Sequence, residues 1–391
     1  MSERSLIFSA AEFRARIRRL QEAMAVAEQD ALLLTTPADV FYATGFLTRF
    51  WESPARPWFV VVPLAGDPVA VIPAIGADLM RRTWIADIRT WAAPDPVDDG
   101  VSLLAETLAG IVPGPGAIGV PMGLETQLRM PLGDYARVVE RLAPRRFVDA
   151  TAVVQRVREV KSEAEVAKIR ATCAVADRAF AKVPEFARAG VPLTHVFRDF
   201  QIALLEAGAD WVSYVAGGAG PGGYGDVISP ADARPLEPGD VLMLDTGAVR
   251  EGYFCDFDRN FSIGPAGDAA KRAHAALYAA TEAALAALRP GIRATDLHRV
   301  MVETLVAAGA TPLGGRLGHG LGITLTEWPS LTDKDETELQ EGMVLTLEPG
   351  VEIAPENAPG QIMVHEENIV LRAEGPELLS TRTPPELPEI L

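Results

Sequence analysis

The chain has 391 residues, 48% of them hydrophobic, and a formal net charge of −17 at pH 7. This acidic balance argues against nucleic acid and anionic membranes as partners, because phosphate groups would be repelled. The two cysteines, Cys173 and Cys255, give no disulfide framework. The start of the chain lacks an apolar signal core, and no apolar run is long enough to cross a bilayer, so we expect a cytoplasmic protein. The length predicts two domains.

Helix and strand patterns alternate through residues 1–155, which predicts an α/β layer domain. An amphipathic helix is expected over residues 10–28. Strands are expected over residues 31–35, 58–63, 69–73, 117–120 and 146–149. No Gly-x-Gly-x-x-Gly joins a strand to a helix here, so the pattern does not favour a dinucleotide site.

Residues 156–391 form the second predicted domain, which completes an α+β fold. Ser162 and Glu165 form a capping-box pattern for a long helix that we expect to end near Gly190. Helix pairs are expected near 163–187 and 195–206, and again near 267–288 and 296–308. Acid-bearing strand segments follow each pair, so the element order indicates two αα-ββ halves.

A predicted hairpin carries the first two candidate metal ligands, Asp245 and Asp256. If Arg250 and Glu251 form its two-residue loop, these aspartates are directly opposed, about 4.5–5.5 Å apart at Cβ on one face. The same register places Asp258 opposite Met243. Two carboxylates held this close repel each other, and a divalent cation compensates best.

Three further residues complete a ligand pattern. Glu348 ends a strand-like run before a proline, Glu366 lies between β-formers, and His319 sits among glycines that permit close approach of the backbone. Four carboxylates and one imidazole suit Mn²⁺, Fe²⁺, Co²⁺ or Zn²⁺, with bridging carboxylates holding two ions about 3.5–4 Å apart.

The motifs Asp-x-Gly, Gly-His-Gly-x-Gly, Leu-Glu-Pro-Gly and Glu-Glu-Asn resemble those of the pita-bread superfamily, which includes Xaa-Pro aminopeptidase, prolidase and creatinase. The resemblance to the prolidase and creatinase branch extends over the whole chain. It implies a creatinase-like N-terminal domain and a C-terminal pita-bread domain with pseudo-two-fold halves. It also implies two divalent ions, with Mn²⁺ favoured, and Glu366 rather than Glu367 as a ligand. The implied ligands are Asp245, Asp256, His319, Glu348 and Glu366.

Two positions depart from the peptidase pattern of this superfamily. Histidines that bind the substrate or the tetrahedral intermediate in the peptidases are replaced by Thr326 and by a stretch containing Tyr224. We expect both residues to line the pocket, with the tyrosine hydroxyl able to stabilise an oxyanion or act as an acid. Trp328, close to Thr326, is a further candidate substrate contact.

An aromatic and basic run between Gly45 and Trp58 is unusual for a surface loop. In relatives this loop reaches the active site of the neighbouring subunit of a homodimer. We therefore expect Arg49, Trp51 or Arg56 to bind a substrate carboxylate or cation in trans, by a bidentate clamp or over an aromatic face.

The leading expectation is a dinuclear metal-dependent hydrolase of the Xaa-Pro peptidase type. In this expectation the ions lower the pKa of a bridging water and the hydroxide attacks an amide carbonyl. The resemblance implies that Glu348 moves the proton to the leaving nitrogen. One alternative is a lyase acting on dimethylsulfoniopropionate or a similar small carboxylate, since that branch also lacks the second histidine. Another small-amide hydrolase of the creatinase branch is a second alternative. Creatinase-like hydrolysis without metal and a degenerate binding protein are disfavoured by the intact ligand set.

Overall fold

The computed structural model describes residues 7–52, 56–353 and 360–391. The chain divides into two compact units, one ending at Arg158 and the other beginning at Glu159. No helix within the described ranges is long and apolar enough to cross a membrane.

The first unit is built on a six-stranded mixed sheet. Its strands are β1 (Ala31–Leu34), β2 (Phe59–Pro63), β3 (Val69–Pro73), β4 (Asp87–Trp91), β5 (Ala117–Val120) and β6 (Arg146–Asp149), in the order β4-β3-β2-β1-β5-β6. Its helices are α1 (Ala10–Val26), α2 (Pro37–Thr44), α3 (Ala77–Met80), α4 (Val101–Ile111), α5 (Leu132–Leu142) and α6 (Thr151–Glu159), with 3₁₀ turns at Phe50–Glu52 and Ala74–Gly76. The predicted strands are present, whereas the half-exposed β4 was not predicted.

The second unit holds five helices and thirteen strands within the described residues. The helices are α7 (Glu163–Phe180), α8 (Val183–Phe186), α9 (Leu193–Glu206), α10 (Asp268–Ala287) and α11 (Ala294–Ala307). The strands are β7 (Trp211–Pro221), β8 (Asp240–Arg250), β9 (Tyr253–Phe254), β10 (Phe257–Ile263), β11 (Thr311–Pro312), β12 (His319–Gly320), β13 (Glu327–Ser330), β14 (Val344–Leu347), β15 (Gly350–Ile353), β16 (Gln361–Val364), β17 (Glu367–Arg372), β18 (Gly375–Leu378) and β19 (Glu389–Ile390).

The predicted αα-ββ order occurs twice in this unit. Helices α7 and α9 precede the sheet β19-β10-β8-β7, in which β9 also pairs with β8. Helices α10 and α11 precede the sheet β13-β12-β14-β17-β18 and the smaller sheet β11-β15-β16. Asp245 lies in β8 of the first large sheet, whereas Glu348 and Glu366 lie next to β14 and β17 of the second.

Helix α7 begins as predicted but ends earlier. The Ser162 side chain accepts a hydrogen bond from the Glu165 N–H, and the Glu165 side chain accepts one in return, which completes the capping box. The predicted continuation to Gly190 is wrong, because α7 ends at Phe180. Pro184 explains the early end: a proline has no N–H to donate, and its ring clashes with the carbonyl four residues earlier.

Candidate metal centre

The hairpin that carries the aspartates turns one residue later than predicted. Arg250 pairs with Tyr253, so Glu251 and Gly252 form the loop. Both loop residues have positive φ, 50° and 84°, as the favoured two-residue hairpin turns require, and glycine adopts this conformation at little cost. The predicted loop of Arg250 and Glu251 is therefore wrong.

This turn shifts the pairing by two residues and preserves the face. Asp245 lies opposite Asp258, and Met243 lies opposite Asn260. The predicted pairing of Asp245 with Asp256, and of Asp258 with Met243, is wrong. Because side chains alternate along a strand, a shift of two leaves Asp256 on the Asp245 side, at the diagonal position.

Tyr214 joins the two aspartates, and sequence analysis missed it. Its hydroxyl lies 3.1 Å from Asp245 Oδ2 and 2.5 Å from Asp256 Oδ1. Tyr214 is on β7, at an irregularity in the pairing with β8 between Val212 and Val215. Gly247 makes room for the ring, since a Cβ there would lie 2.5 Å from Tyr214 Cε1. The glycine in Asp-x-Gly was the available signal.

His319 has its imidazole oriented by the backbone. Its Nδ1 lies 2.8 Å from the Gly320 carbonyl oxygen and donates to it. The lone pair is then on Nε2, which lies 3.3 Å from Asp256 Oδ2. Gly318, at φ 136°, brings the backbone close to β14: a Cβ there would lie 2.3 Å from the Thr346 carbonyl oxygen. A buried imidazole held in this way is typical of a metal ligand.

Two glutamates approach from the second half. Glu348 follows β14 and is half-buried, and its N–H donates to the Leu317 carbonyl at 3.0 Å. Glu366 precedes β17 and is 2% exposed. Ligand atoms of Asp256, His319 and Glu366 all lie within 4.8 Å of one another. Three of the predicted ligands therefore form one compact group, and Tyr214 ties a fourth, Asp245, to it.

Burial raises the pKa of the carboxyl groups at this site, and neighbouring carboxylates raise it further for Asp245, Glu348 and Glu366. Burial raises the pKa of Asp256 and of Glu348 to about 7. Burial, and then the charge of Asp256, hold the pKa of Asp245 and of Glu366 well above the usual range. Asp245 Oδ1 and Glu366 Oε1 are buried and have no hydrogen-bond partner among the described residues. Buried carboxylate oxygens without donors, close to an imidazole, fit a divalent cation.

Glu367, the next residue, has the opposite surroundings. Burial raises its pKa, but the Arg259 guanidinium and the hydrogen bond from His365 outweigh it and hold the pKa well below the usual range. Its carboxylate accepts from Arg259 Nη2 at 2.9 Å, Arg382 Nη1 at 3.1 Å, Thr383 N at 2.9 Å and the Ser380 hydroxyl. A carboxylate this well satisfied needs no metal, which favours Glu366 as the ligand.

Two family models match the chain. The metallopeptidase family M24 model matches residues 167–374, more than half of the chain, and the creatinase/prolidase N-terminal domain model matches residues 16–160. The chain belongs to metallopeptidase family M24. It is therefore a metallohydrolase, a peptidase that depends on divalent metal.

Three relatives illustrate this similarity. The probable dipeptidase PepE of Mycobacterium tuberculosis is 29% identical over 386 residues, 97% of each chain. The crystal structure of dipeptidase PepE from Mycobacterium ulcerans has a TM-score of 0.82 at 28% identity, covering 98% of this chain and 99% of that one. The Xaa-Pro dipeptidase of Pyrococcus horikoshii is 29% identical over 235 residues, 59% of this chain and 66% of the relative. The resemblance to the pita-bread superfamily is confirmed.

A further buried acid of this M24 peptidase lies beside the ligands. Asp258 is 1% exposed and lies across the ladder from Asp245. Burial, and then the charge of Asp245, raise its pKa well above the usual range. The Asn260 amide lies 3.5 Å from its Oδ1. Asp258 is thus a further buried acid beside Asp245, and its raised pKa favours the neutral form.

The two residues at the replaced-histidine positions have different surroundings. Thr326 is half-buried in the loop before β13, where its carbonyl accepts from Thr324 Oγ1 at 3.0 Å. Tyr224 is 1% exposed, lies in the hydrophobic core, and its hydroxyl accepts from the Val364 N–H at 2.6 Å. The role of Tyr224 at the pocket stays a prediction. Trp328 is half-buried, and its Nε1 donates to Thr337 Oγ1 at 3.2 Å.

The candidate substrate contacts of the first unit have local partners. Arg49 pairs with Glu52 at 3.0 Å, and the Arg56 guanidinium lies 5.1 Å from the Phe50 ring centre. Trp51 is half-buried, with the Arg129 guanidinium 5.0 Å from its ring centre. Residues 53–55 of this predicted loop lie outside the described residues. Substrate binding in trans stays a prediction.

Proposed function

We propose that this M24 peptidase binds two divalent ions, with Mn²⁺ preferred, and cleaves short Xaa-Pro peptides after the residue that precedes proline. The proposed ligands are Asp245, Asp256, His319, Glu348 and Glu366. One observation carries the proposal: buried carboxyl groups with raised pKa converge with an oriented imidazole, and two of their oxygens have no donor in the described chain. Four carboxylates offer enough charge to balance two divalent ions, and bridging carboxylates are typical of such pairs.

The residues of the site prepare it for hydrolysis of an amide. When bound, the ions supply Lewis acidity that activates water and polarises a carbonyl group. Glu348 is half-buried and its pKa is raised to about 7, so it can accept and return a proton near neutral pH. The Tyr214 hydroxyl holds the carboxylates of Asp245 and Asp256 in place, and the Gly320 carbonyl fixes the His319 tautomer.

The choice of substrate rests on the relatives and on the residues that frame the site. The relatives named above are a probable dipeptidase, a dipeptidase of known structure and an Xaa-Pro dipeptidase, which supports a short peptide as substrate. We assign substrate contacts to Thr326 and Trp328, and to Arg49, Trp51 or Arg56 from the partner subunit of a homodimer. Replacing Trp51 by Ala should raise KM, and an unaltered KM would remove Trp51 from the proposal. The cytoplasmic location stays a prediction from sequence.

Product analysis of a peptide panel tests the proposal. Mn²⁺-loaded protein is incubated with Xaa-Pro and Xaa-Ala di- and tripeptides, beside chelated protein and a Glu348→Gln variant. We expect metal-dependent release of the residue before proline, and its loss in both controls. A metal-loaded protein that cleaves none of these peptides would contradict the peptidase proposal. Headspace dimethyl sulfide from dimethylsulfoniopropionate would then identify the lyase alternative.

A further inference from the structure

A buried ion pair in the M24 unit lies outside the ligand set. Lys161 Nζ and Glu327 Oε2 are 3.0 Å apart, and the two side chains are only 2% and 5% exposed. Removing two such charges from water costs several kcal/mol, and the attraction between them often does no more than offset this cost. The pair therefore adds little net folding stability, and its role follows from the residues that it positions.

Glu327 holds a tight loop, residues 322–327, with its second oxygen. Glu327 Oε1 accepts from the N–H groups of Ile323 and Thr324 at 3.0 and 3.2 Å, and lies 3.2 Å from Thr324 Oγ1. The approach is so close that a Cβ on Gly322 would lie 2.7 Å from Glu327 Oε2. One carboxylate thus binds the lysine on one oxygen and orders the loop with the other.

The same loop borders the hairpin of the metal centre. The Phe254 N–H, two residues before a proposed ligand, donates to the Gly322 carbonyl at 2.9 Å. Leu325 Cδ1 lies 2.7 Å from the Cβ position of Gly247, where the Tyr214 ring also packs. Since the Tyr214 hydroxyl bonds two ligand carboxylates, the loop and the ligands share one surface.

We propose that Lys161 and Glu327 are positioning residues for substrate binding, which fix residues 322–326, and with them Thr326, against the metal hairpin. The identity of the substrate rests on the proposed function, whereas the ordering of the loop does not. The bonds described above join the pair to the loop: Lys161 binds Glu327 Oε2, and Glu327 Oε1 accepts from the loop amides. Loss of the pair should therefore weaken substrate binding and leave metal binding intact.

Hydrogen exchange by mass spectrometry tests the positioning directly. In Lys161→Met the Glu327 carboxylate loses its cation and turns toward water, so the Ile323 and Thr324 amides should exchange at least about tenfold faster. Amides of β14 should keep wild-type rates. The matched control is Lys182→Met, which removes an exposed pair with Glu206 (44% and 63% exposed). Unchanged protection of both loop amides in Lys161→Met would overturn the proposal.

Kinetics separate positioning from a general structural role. For a peptide that the wild type cleaves, Lys161→Met should raise KM about fivefold or more while kcat and metal content change less than about twofold. A fall in kcat with loss of metal and unchanged KM would overturn the proposal. If Lys161→Met does not fold, Glu327→Gln decides: the same two amides must exchange faster, by a smaller factor. A wild type that cleaves no Xaa-Pro peptide refutes the proposed function, and the exchange experiment still decides the role of the pair.

Discussion

Glu366 and Glu367 are adjacent, and both are buried, yet the protein treats their charges in opposite ways. Glu367 is surrounded by arginine, hydroxyl and amide donors, and its pKa is held low despite its burial. Glu366 faces other carboxyl groups, its Oε1 has no partner among the described residues, and its pKa is raised. Burial alone raises the pKa of a carboxyl group, so the difference comes from the partners.

This contrast distinguishes Glu367, a structural carboxylate, from Glu366, a proposed metal ligand. The Arg259 guanidinium also donates to the backbone carbonyls of Asp258 and Glu366, at 2.6 and 2.9 Å. Arg259 thereby binds the Glu367 carboxylate and also holds the backbone of Glu366 in place. Glu366 Oε1, which no donor among the described residues satisfies, can bind a cation from solution.

The largest expected effect is on kcat, from a substitution at the proposed metal site. Glu348→Gln removes the proposed proton acceptor and keeps its shape, so kcat should fall by about 10²–10⁴-fold. The variant should retain part of its metal, because the other proposed ligands remain. Steady-state kinetics with metal analysis check both points. Activity near the wild-type level in the Gln variant would exclude Glu348 as the acid–base group.

Substitution of Arg259 removes the main cation beside the Glu367 carboxylate. Arg259→Met leaves Glu367 buried without its main cation, which should lower the free energy of unfolding by about 3–5 kcal/mol. Denaturant unfolding measures the loss, and the exposed Arg293→Met (54% exposed, paired with Glu336) is the matched control. A loss no larger than that of the control would show that the contrast with Glu366 is not electrostatic.

Chelation should reveal the raised pKa values as a dependence of stability on pH. Asp256 and Glu348 have folded pKa values of about 7, above their unfolded values of about 4. The metal-free folded protein therefore binds more protons than the unfolded chain between about pH 4 and 7, and its stability falls as pH rises through this window. Glu367, with a lowered pKa, loses its contribution only as pH falls below about 4.

Thermal unfolding of chelated protein at pH 5.5 and 8 measures this difference. We expect about 2–4 kcal/mol less stability at pH 8, and Mn²⁺ should remove most of the difference because bound cations favour the ionised carboxylates. A chelated protein equally stable at both pH values would contradict the raised pKa values.

The smallest expected effect concerns Tyr214. Tyr214→Phe removes the hydroxyl that holds two ligand carboxylates and leaves the ring that packs against Gly247. We expect about a tenfold loss of metal affinity, the usual order for a group that orients ligands. Competition with a fluorescent chelator measures it. Unaltered affinity would mean that the carboxylates are oriented by the backbone alone.

Sequence patterns predicted the elements better than the contacts between them. The strands of the first unit other than β4, and the capping box of Ser162, followed from local signals. The hairpin register did not, because a shift of two residues keeps the same alternation and only the conformation of Glu251 and Gly252 distinguishes the two turns. Local patterns give no information about donors that meet only in three dimensions.

Tyr214 and Tyr224 both show that side-chain contacts are hard to predict from a single sequence. Tyr214 reaches the ligands from a neighbouring strand at a pairing irregularity, and no motif around it indicates this. Tyr224 was predicted at the pocket because it replaces a histidine of the peptidases, and the contact of its hydroxyl with the Val364 N–H in the core could not be predicted from that resemblance. The position of a side chain relative to a site depends on strand pairing, which a single sequence specifies only weakly.

Metal content tests the central claim most directly. Wild-type protein, Glu366→Gln and Glu367→Gln are each reconstituted with Mn²⁺ and freed of excess metal, and their metal contents are compared. Both substitutions remove one buried carboxylate, which faces other carboxyl groups at position 366 and hydrogen-bond donors at position 367. We predict about two ions per chain in the wild type and in folded Glu367→Gln, and fewer in Glu366→Gln. Equal metal content in Glu366→Gln and the wild type, or no metal in the wild type, would contradict it.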